Sequence, residues 1–281
     1  MISDSESLLD RINKLIDADR VALPVFGRIA LQLRQIVAQP YHDAAEVERL
    51  IASDQALAAD LLRAANSAFY GGLATIRTIR NAVIRLGTKQ VTHLVCLASE
   101  HANYRARDPQ LLPLVQRLWR HSSSTAMAAQ WLAKRLRLDE IEDECFLGGL
   151  LHDIGQLLVL RAIDELKETD GQNLMLTPAV IKEVLDAAHT QLGYNLLRRW
   201  NLPEIYCRIA QQHHSEEFDS ADLPLVIVRL ANEASNKLGY GLNPDPSLVL
   251  SATPEAQCLK AGEVLLAELE IMLEDELEQS A

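Results

Sequence analysis

CFLGGLLHDIGQLLVL, residues 145–160, decides how the rest of this chain is read. The stretch is almost wholly apolar, yet His152 and Asp153 stand side by side at its centre. An ionised carboxylate in such surroundings is costly unless a cation or a set of hydrogen bonds offsets the lost hydration. Two readings are open from these residues. A metal ion can draw an adjacent imidazole and carboxylate toward itself, or Asp153 can be structural, capping a helix or fixing the tautomer of a histidine. The neighbouring Gly148, Gly149 and Gly155 let other backbones approach closely.

Working outward, the apolar residues recur at helical spacing throughout. Leu8, Leu9, Ile12, Leu15 and Ile16 mark a first helix, and Ile29, Leu33 and Ile36 a second. Asp43 followed by Glu46 opens a third; the His42-Asp43 pair at its polar start reads as a cap rather than a site. Residues 53–72 form another helix, capped by Ser53 or Asp54 and stopped by Gly71-Gly72. Its NSAFYGG end is expected to bury Phe69 and Tyr70. Residues 78–86 and 89–100 are two helices separated by Gly87.

Asp108-Pro109 is expected to open a long helix running to about Leu136. Further helices follow over residues 139–160, 178–200, 203–214 and 223–237, and a long acidic one over 254–277. No convincing alternating strand and no fixed repeat is found. The expected fold is all-α, in two helical lobes, with the polar interval around residues 101–109 between them. The parts are an N-terminal lobe over 1–105, a helical bundle over 106–240, and a C-terminal extension with an acidic helix over 241–281.

At 281 residues, with 48% hydrophobic and 23% charged residues, the chain can bury a sizeable core. A net charge of −12 argues against non-specific nucleic-acid binding, which needs a basic surface. Cys96, Cys145, Cys207 and Cys258 form no CxxC pair and read as reduced thiols. The N-terminus lacks the pattern of a signal peptide, and no uninterrupted apolar run reaches the length that spans a bilayer. The expected compartment is the cytoplasm. Arg77, Arg80, Arg85 and Lys89, and the cluster Lys134, Arg135 and Arg137, read first as solvated faces and second as contacts for a nucleotide or a partner's carboxylates.

The later histidines bear on the two readings of the dyad. His121, His152, His189 and His213 are each expected on a helix flanked by buried residues, with His214 just beyond. A single such histidine is ordinarily a satisfied core residue. Several helices that each bring one, together with Asp153, match the way helical bundles build metal sites. Imidazole with carboxylate suits zinc, iron, nickel or manganese without choosing among them.

The order His121, then His152-Asp153, then a later helix with Asn232 resembles the H…HD…D pattern of the HD superfamily of metal-dependent phosphohydrolases. LLHDIG is similar to that superfamily's dyad segment and HSSSTAMAAQWLA to its first histidine helix. His189 and the His213-His214 pair resemble the extra ligands of the HD-GYP branch, which hydrolyses cyclic di-GMP. The departures are specific. Asn232, in LVIVRLANEA, stands where the superfamily has its last Asp; Gln156 replaces the branch's Lys; SEEFDSADLP lacks the branch's DGxGYP loop.

LPVFGRIALQL, NSAFYG, the A-x-x-x-L-G after it, and WNLPEIYCRIAQQHH resemble HDOD domains, and the likeness covers roughly residues 15–240. The resemblance implies a bacterial signalling or regulatory module without demonstrated catalysis, acting on a signalling protein partner or a small ligand such as a nucleotide. It implies a divalent transition metal, held weakly or partially by His121, His152, Asp153, His189, His213, His214 and Asn232. The alternative is a metal-dependent phosphohydrolase of a nucleotide or phosphoester, in which Asp153 would be the catalytic residue. Membrane and nucleic-acid partners are not expected.

Overall fold

A computed structural model describes residues 7–18, 20–22, 24, 27–39, 41–66, 75–170 and 176–280. Every regular element among them is helical. The chain divides into two compact units, one of residues 1–24 with 104–273 and one of residues 25–103 with 274–281. The larger unit thus takes in the first helix and residues 241–273 as well as the expected bundle.

The smaller unit contains α2 (Arg28–Val37), α3 (Ala44–Ala52), α4 (Gln55–Ala65) and α5 (Ile79–His101). Its core is the apolar stripe the sequence spacing dictates: Leu33, Val47, Ile51, Leu61, Val91 and Leu94 are all buried. Asp43 caps α3 by accepting from Ala45 N, and Asp54 caps α4 by accepting from Leu57 N. α5 merges the two expected helices, but Gly87 between them has φ 82° and is not helical. α4 ends at Asn66, whose side chain bonds Leu62 O, Ile76 O and Ile76 N; Phe69 and Tyr70 lie outside the described residues.

The larger unit holds α1 (Leu8–Asp17), α6 (Leu112–Arg135), α7 (Glu142–Leu151), α8 (Ile154–Asp170), α9 (Pro178–Arg199), α10 (Glu204–Gln212), α11 (Leu223–Lys237), α12 (Pro254–Cys258) and the start of α13 (Glu263–Ser280). α6, α7 and α11 form the packed centre, α8 pairs with α9, and α10 bridges α9 to α7. Phe146, Leu118, Leu132, Leu147, Leu150 and Leu151 are fully buried there.

Three expectations are corrected. The long helix does not open at Asp108-Pro109 but at Leu112. Asp108 instead accepts from Gln110 N, while its own amide and that of Arg107 donate to the buried Asp164 on α8. That pairing satisfies the interval's polar backbone without a helix. The acidic helix over 254–277 is two helices, because the chain turns at Lys260 (φ 52°) before Gly262 and restarts at Glu263. The dyad is not inside a helix: His152 and Asp153 form the turn between α7 and α8. By composition Asp139–Thr169 is long and apolar enough to cross a membrane, but its most apolar window is 94% buried inside this fold, as a core segment is.

Candidate metal centre

The turn between α7 and α8 delivers two adjacent side chains into one place, and two glycines bring the other helices to it. A Cβ on Gly149 would lie 2.8 Å from Ala126 Cα and Thr125 O, so only glycine lets α7 touch α6, the helix of His121. A Cβ on Gly155 would lie 1.9 Å from His189 O, so α8 and α9 meet backbone to backbone at that histidine. His213 ends α10, and His214 follows it at the surface.

Two groups of donors result, sharing Asp153. The inner group is His121, His152 and Asp153; the outer is Asp153, His189, His213 and His214. All but His214 are buried. Asp153 Oδ2 lies 3.4 Å from the Nε2 atoms of both His121 and His152. Its Oδ1 lies 3.3 Å from His213 Nε2 and 3.6 Å from His189 Nε2. Each carboxylate oxygen therefore serves one pair of imidazoles. Asn232 is 1% exposed, faces His121 and His152, and is itself bonded from Asn236 Nδ2 at 3.3 Å.

The tautomers follow from the carbonyls around the rim. His152 Nδ1 lies 2.8 Å from Gly149 O, His189 Nδ1 2.7 Å from Leu185 O, and His213 Nδ1 3.0 Å from Ala210 O. A carbonyl oxygen only accepts, so each Nδ1 carries the proton and the neutral ring turns the Nε2 lone pair inward. Yet His121 Nε2 is 3.2 Å from His152 Nε2, and His189 Nε2 is 3.4 Å from His213 Nε2. Between His189 and His213 two lone pairs therefore meet, which do not bind each other. His121 Nδ1 has no partner to fix its tautomer, so its Nε2 is free to donate to His152. The 3.3–3.6 Å to Asp153 is too long for the charge-assisted bonds that would hold an imidazolium on it. Asp153 Oδ1 has no hydrogen-bond partner.

A cation resolves this arrangement. Ligand atoms on a tetrahedral ion with bonds of about 2.0–2.1 Å stand about 3.3–3.4 Å apart. That is close to the 3.2–3.4 Å among His121, His152 and Asp153 and the 3.3–3.6 Å among Asp153, His189 and His213. The residues fit a divalent transition metal, and the hydrogen-bonded polar core without an ion does not explain the orphaned oxygen. Burial pushes His121 down to about 4, His213 to about 3 and His214 to about 4, so these rings are neutral and ligand-ready near pH 7. Burial also acts against charge on His152, but the adjoining Asp153 more than reverses it and raises that ring. Asp153 is held well below the usual carboxylate range; burial opposes this and the His152 and His213 rings overcome it.

The chain matches the HDOD domain over residues 23–216. It belongs to the HDOD family. An uncharacterized protein from Treponema pallidum (strain Nichols) is 28% identical to this HDOD chain over 203 residues, which is 70% of this chain and 39% of that protein. The chain thus spans about two-fifths of that relative's length. Among solved structures, an HDOD domain protein of unknown function from Geobacter sulfurreducens aligns with a TM-score of 0.74 at 20% identity, covering 96% of this chain and 94% of that one. A Shewanella amazonensis SB2B protein provisionally named a metal-dependent phosphohydrolase aligns with a TM-score of 0.65 at 20% identity, covering 95% and 98%. These likenesses establish the HDOD fold.

All six His and Asp candidates from the sequence come together, and Asn232 joins them. Of the basic residues the sequence singled out, Arg135 is paired with Glu268 and stacked on Trp131, so it is engaged within the chain. Sequence reading missed Asn236, which orients Asn232, and Arg229, which holds the end of α10. Neither carries a sequence signal, because an amide or a guanidinium on a helix ordinarily reads as solvated.

Proposed function

We propose that this chain is a metal-holding HDOD regulatory module that acts by binding a signalling protein partner or a small anionic ligand, without hydrolysis. The observation that carries this reading is Asn232, whose neutral amide faces His121 and His152 where a second carboxylate would serve the inner ion. Asp153 is left as the one anion of the two donor groups, against five imidazoles. Neutral imidazoles leave most of the charge of any bound divalent ion uncompensated, which favours retention of an anion such as a phosphate. Gln156 beside the dyad also supplies no cation for a substrate phosphate. We place the module in a bacterial cytoplasm, consistent with four cysteines that form no disulfide.

A second reading, a metal-dependent hydrolase of a nucleotide or phosphoester, is favoured by one feature. Each oxygen of Asp153 faces its own imidazole pair, an arrangement suited to two ions. When bound, such ions would supply Lewis-acid polarisation of a phosphoryl oxygen. Protein purified without chelator, loaded in turn with manganese, iron, nickel and zinc, should bind phosphate or a nucleotide while turning over no member of a phosphoester panel. Metal-dependent turnover that Asp153→Ala abolishes would replace this reading with the hydrolase.

A further inference from the structure

Arg229 stands on α11 three residues before Asn232, and its guanidinium reaches the C-terminal end of α10. Its Nη1 donates to Gln212 O at 3.0 Å, His213 O at 3.0 Å and Ser215 O at 2.9 Å. Carbonyls at a helix end have no partner within the helix; Arg229 takes up those of Gln212 and His213 at the end of α10 and that of Ser215 just beyond it. A cation there also complements the helix dipole. Nε donates to Glu255 Oε1 at 2.7 Å, and the guanidinium lies 4.3 Å from the Phe218 ring centre.

The Arg229 and Glu255 side chains are only 12% and 5% exposed, so each needs the other's charge. Glu255 sits on the short α12, whose cap Thr253 accepts from Ala256 N. Both residues lie outside the 23–216 segment that matches the family. The side chains they steady are His213 and His214, on the backbone that Arg229 grips. His213 takes its ring direction from Nδ1 bonds to Ile209 O and Ala210 O in that same helix end.

We propose that Arg229 and Glu255 are a positioning pair for the outer half of the metal centre. Glu255 holds the guanidinium, the guanidinium holds the end of α10, and that end aims His213 and His214. The proposal rests on the metal-binding reading above and adds a device that the C-terminal segment supplies to it.

The test uses the full chain titrated with Co²⁺, whose visible spectrum reports ligand geometry, in competition with a chelator, together with backbone hydrogen exchange. In Glu255→Gln the outer ion should bind about tenfold more weakly or worse, the usual effect of losing an outer-shell partner. The inner ion should bind as in wild type, and exchange should accelerate over residues 209–214 but not in α6 or α7. Glu255→Asp, which keeps the charge, should recover part of the loss. Where Glu255→Gln lowers the yield of folded protein, Arg229→Lys carries the same expectation, since lysine keeps the charge and loses the fork. Outer affinity equal to wild type overturns the proposal whatever the exchange shows, and so does equal weakening of both ions. If wild-type protein binds no Co²⁺, the metal reading fails by itself. Exchange then decides the pair: acceleration confined to residues 209–214 supports it, and a uniform change or none overturns it.

Discussion

The two halves of the candidate metal centre share Asp153 and differ in nearly everything else. The inner half hangs on α6, α7 and α11, the most tightly packed helices, and every group in it is buried. The outer half hangs on α9 and the end of α10, and it reaches the surface at His214. The inner half has a neutral amide at Asn232 and is closed; the outer half has three imidazoles and is open. A ligand would therefore meet the outer half first, while the inner half chiefly fixes the position of Asp153.

Asp153→Ala tests what the halves have in common. It removes the only anion of both groups and should lower metal affinity at least about a hundredfold, beyond the usual cost of an outer-shell change. Far-UV circular dichroism should stay helical. If one half keeps its ion in this variant, the halves do not share the carboxylate.

The two glycines separate the halves by stability. Gly155→Ala drives a Cβ to 1.9 Å from the His189 carbonyl, so α9 must move; urea unfolding should show a loss of about 3 kcal/mol. Gly149→Ala meets α6 backbone at 2.8 Å and should lose less, about 1–2 kcal/mol. Gly262→Ala, with nothing within 4 Å of the added carbon, serves as the control and should stay within about 0.5 kcal/mol of wild type. Equal losses at all three positions would deny that these contacts set the halves.

These contacts also mark what the sequence could not show. Periodicity found the helices, and an apolar stretch with a buried His-Asp pair found the centre of the site, because both signals are local. That His152-Asp153 is a turn was hidden by the surrounding leucines, which suit a buried helix end as well as a helix middle. The break at Lys260 was hidden because leucine and alanine continue the helical pattern on both sides of Gly262. Which helix meets which glycine, and that Arg229 reaches back to His213, depend on residues far apart in the chain; no spacing within one segment encodes them.

Asn232→Asp should sharpen the contrast between the halves. A carboxylate offsets an ion's charge where an amide cannot, so inner affinity should rise about tenfold while the outer is unchanged. Metal competition titration reads this directly, and a gain confined to the outer half would misplace Asn232. His214→Ala should do least. The ring is exposed and adds to an outer group that still holds Asp153, His189 and His213, so outer affinity should fall by less than about tenfold.

Crystals of wild-type protein grown with Mn²⁺, with data collected for anomalous scattering, would locate the ions themselves. Two peaks should flank Asp153, one among His121, His152 and Asn232 and the other among His189, His213 and His214, with the inner peak the weaker. No peak at Asp153, or peaks lying elsewhere on the molecule, would contradict a metal centre built on that carboxylate.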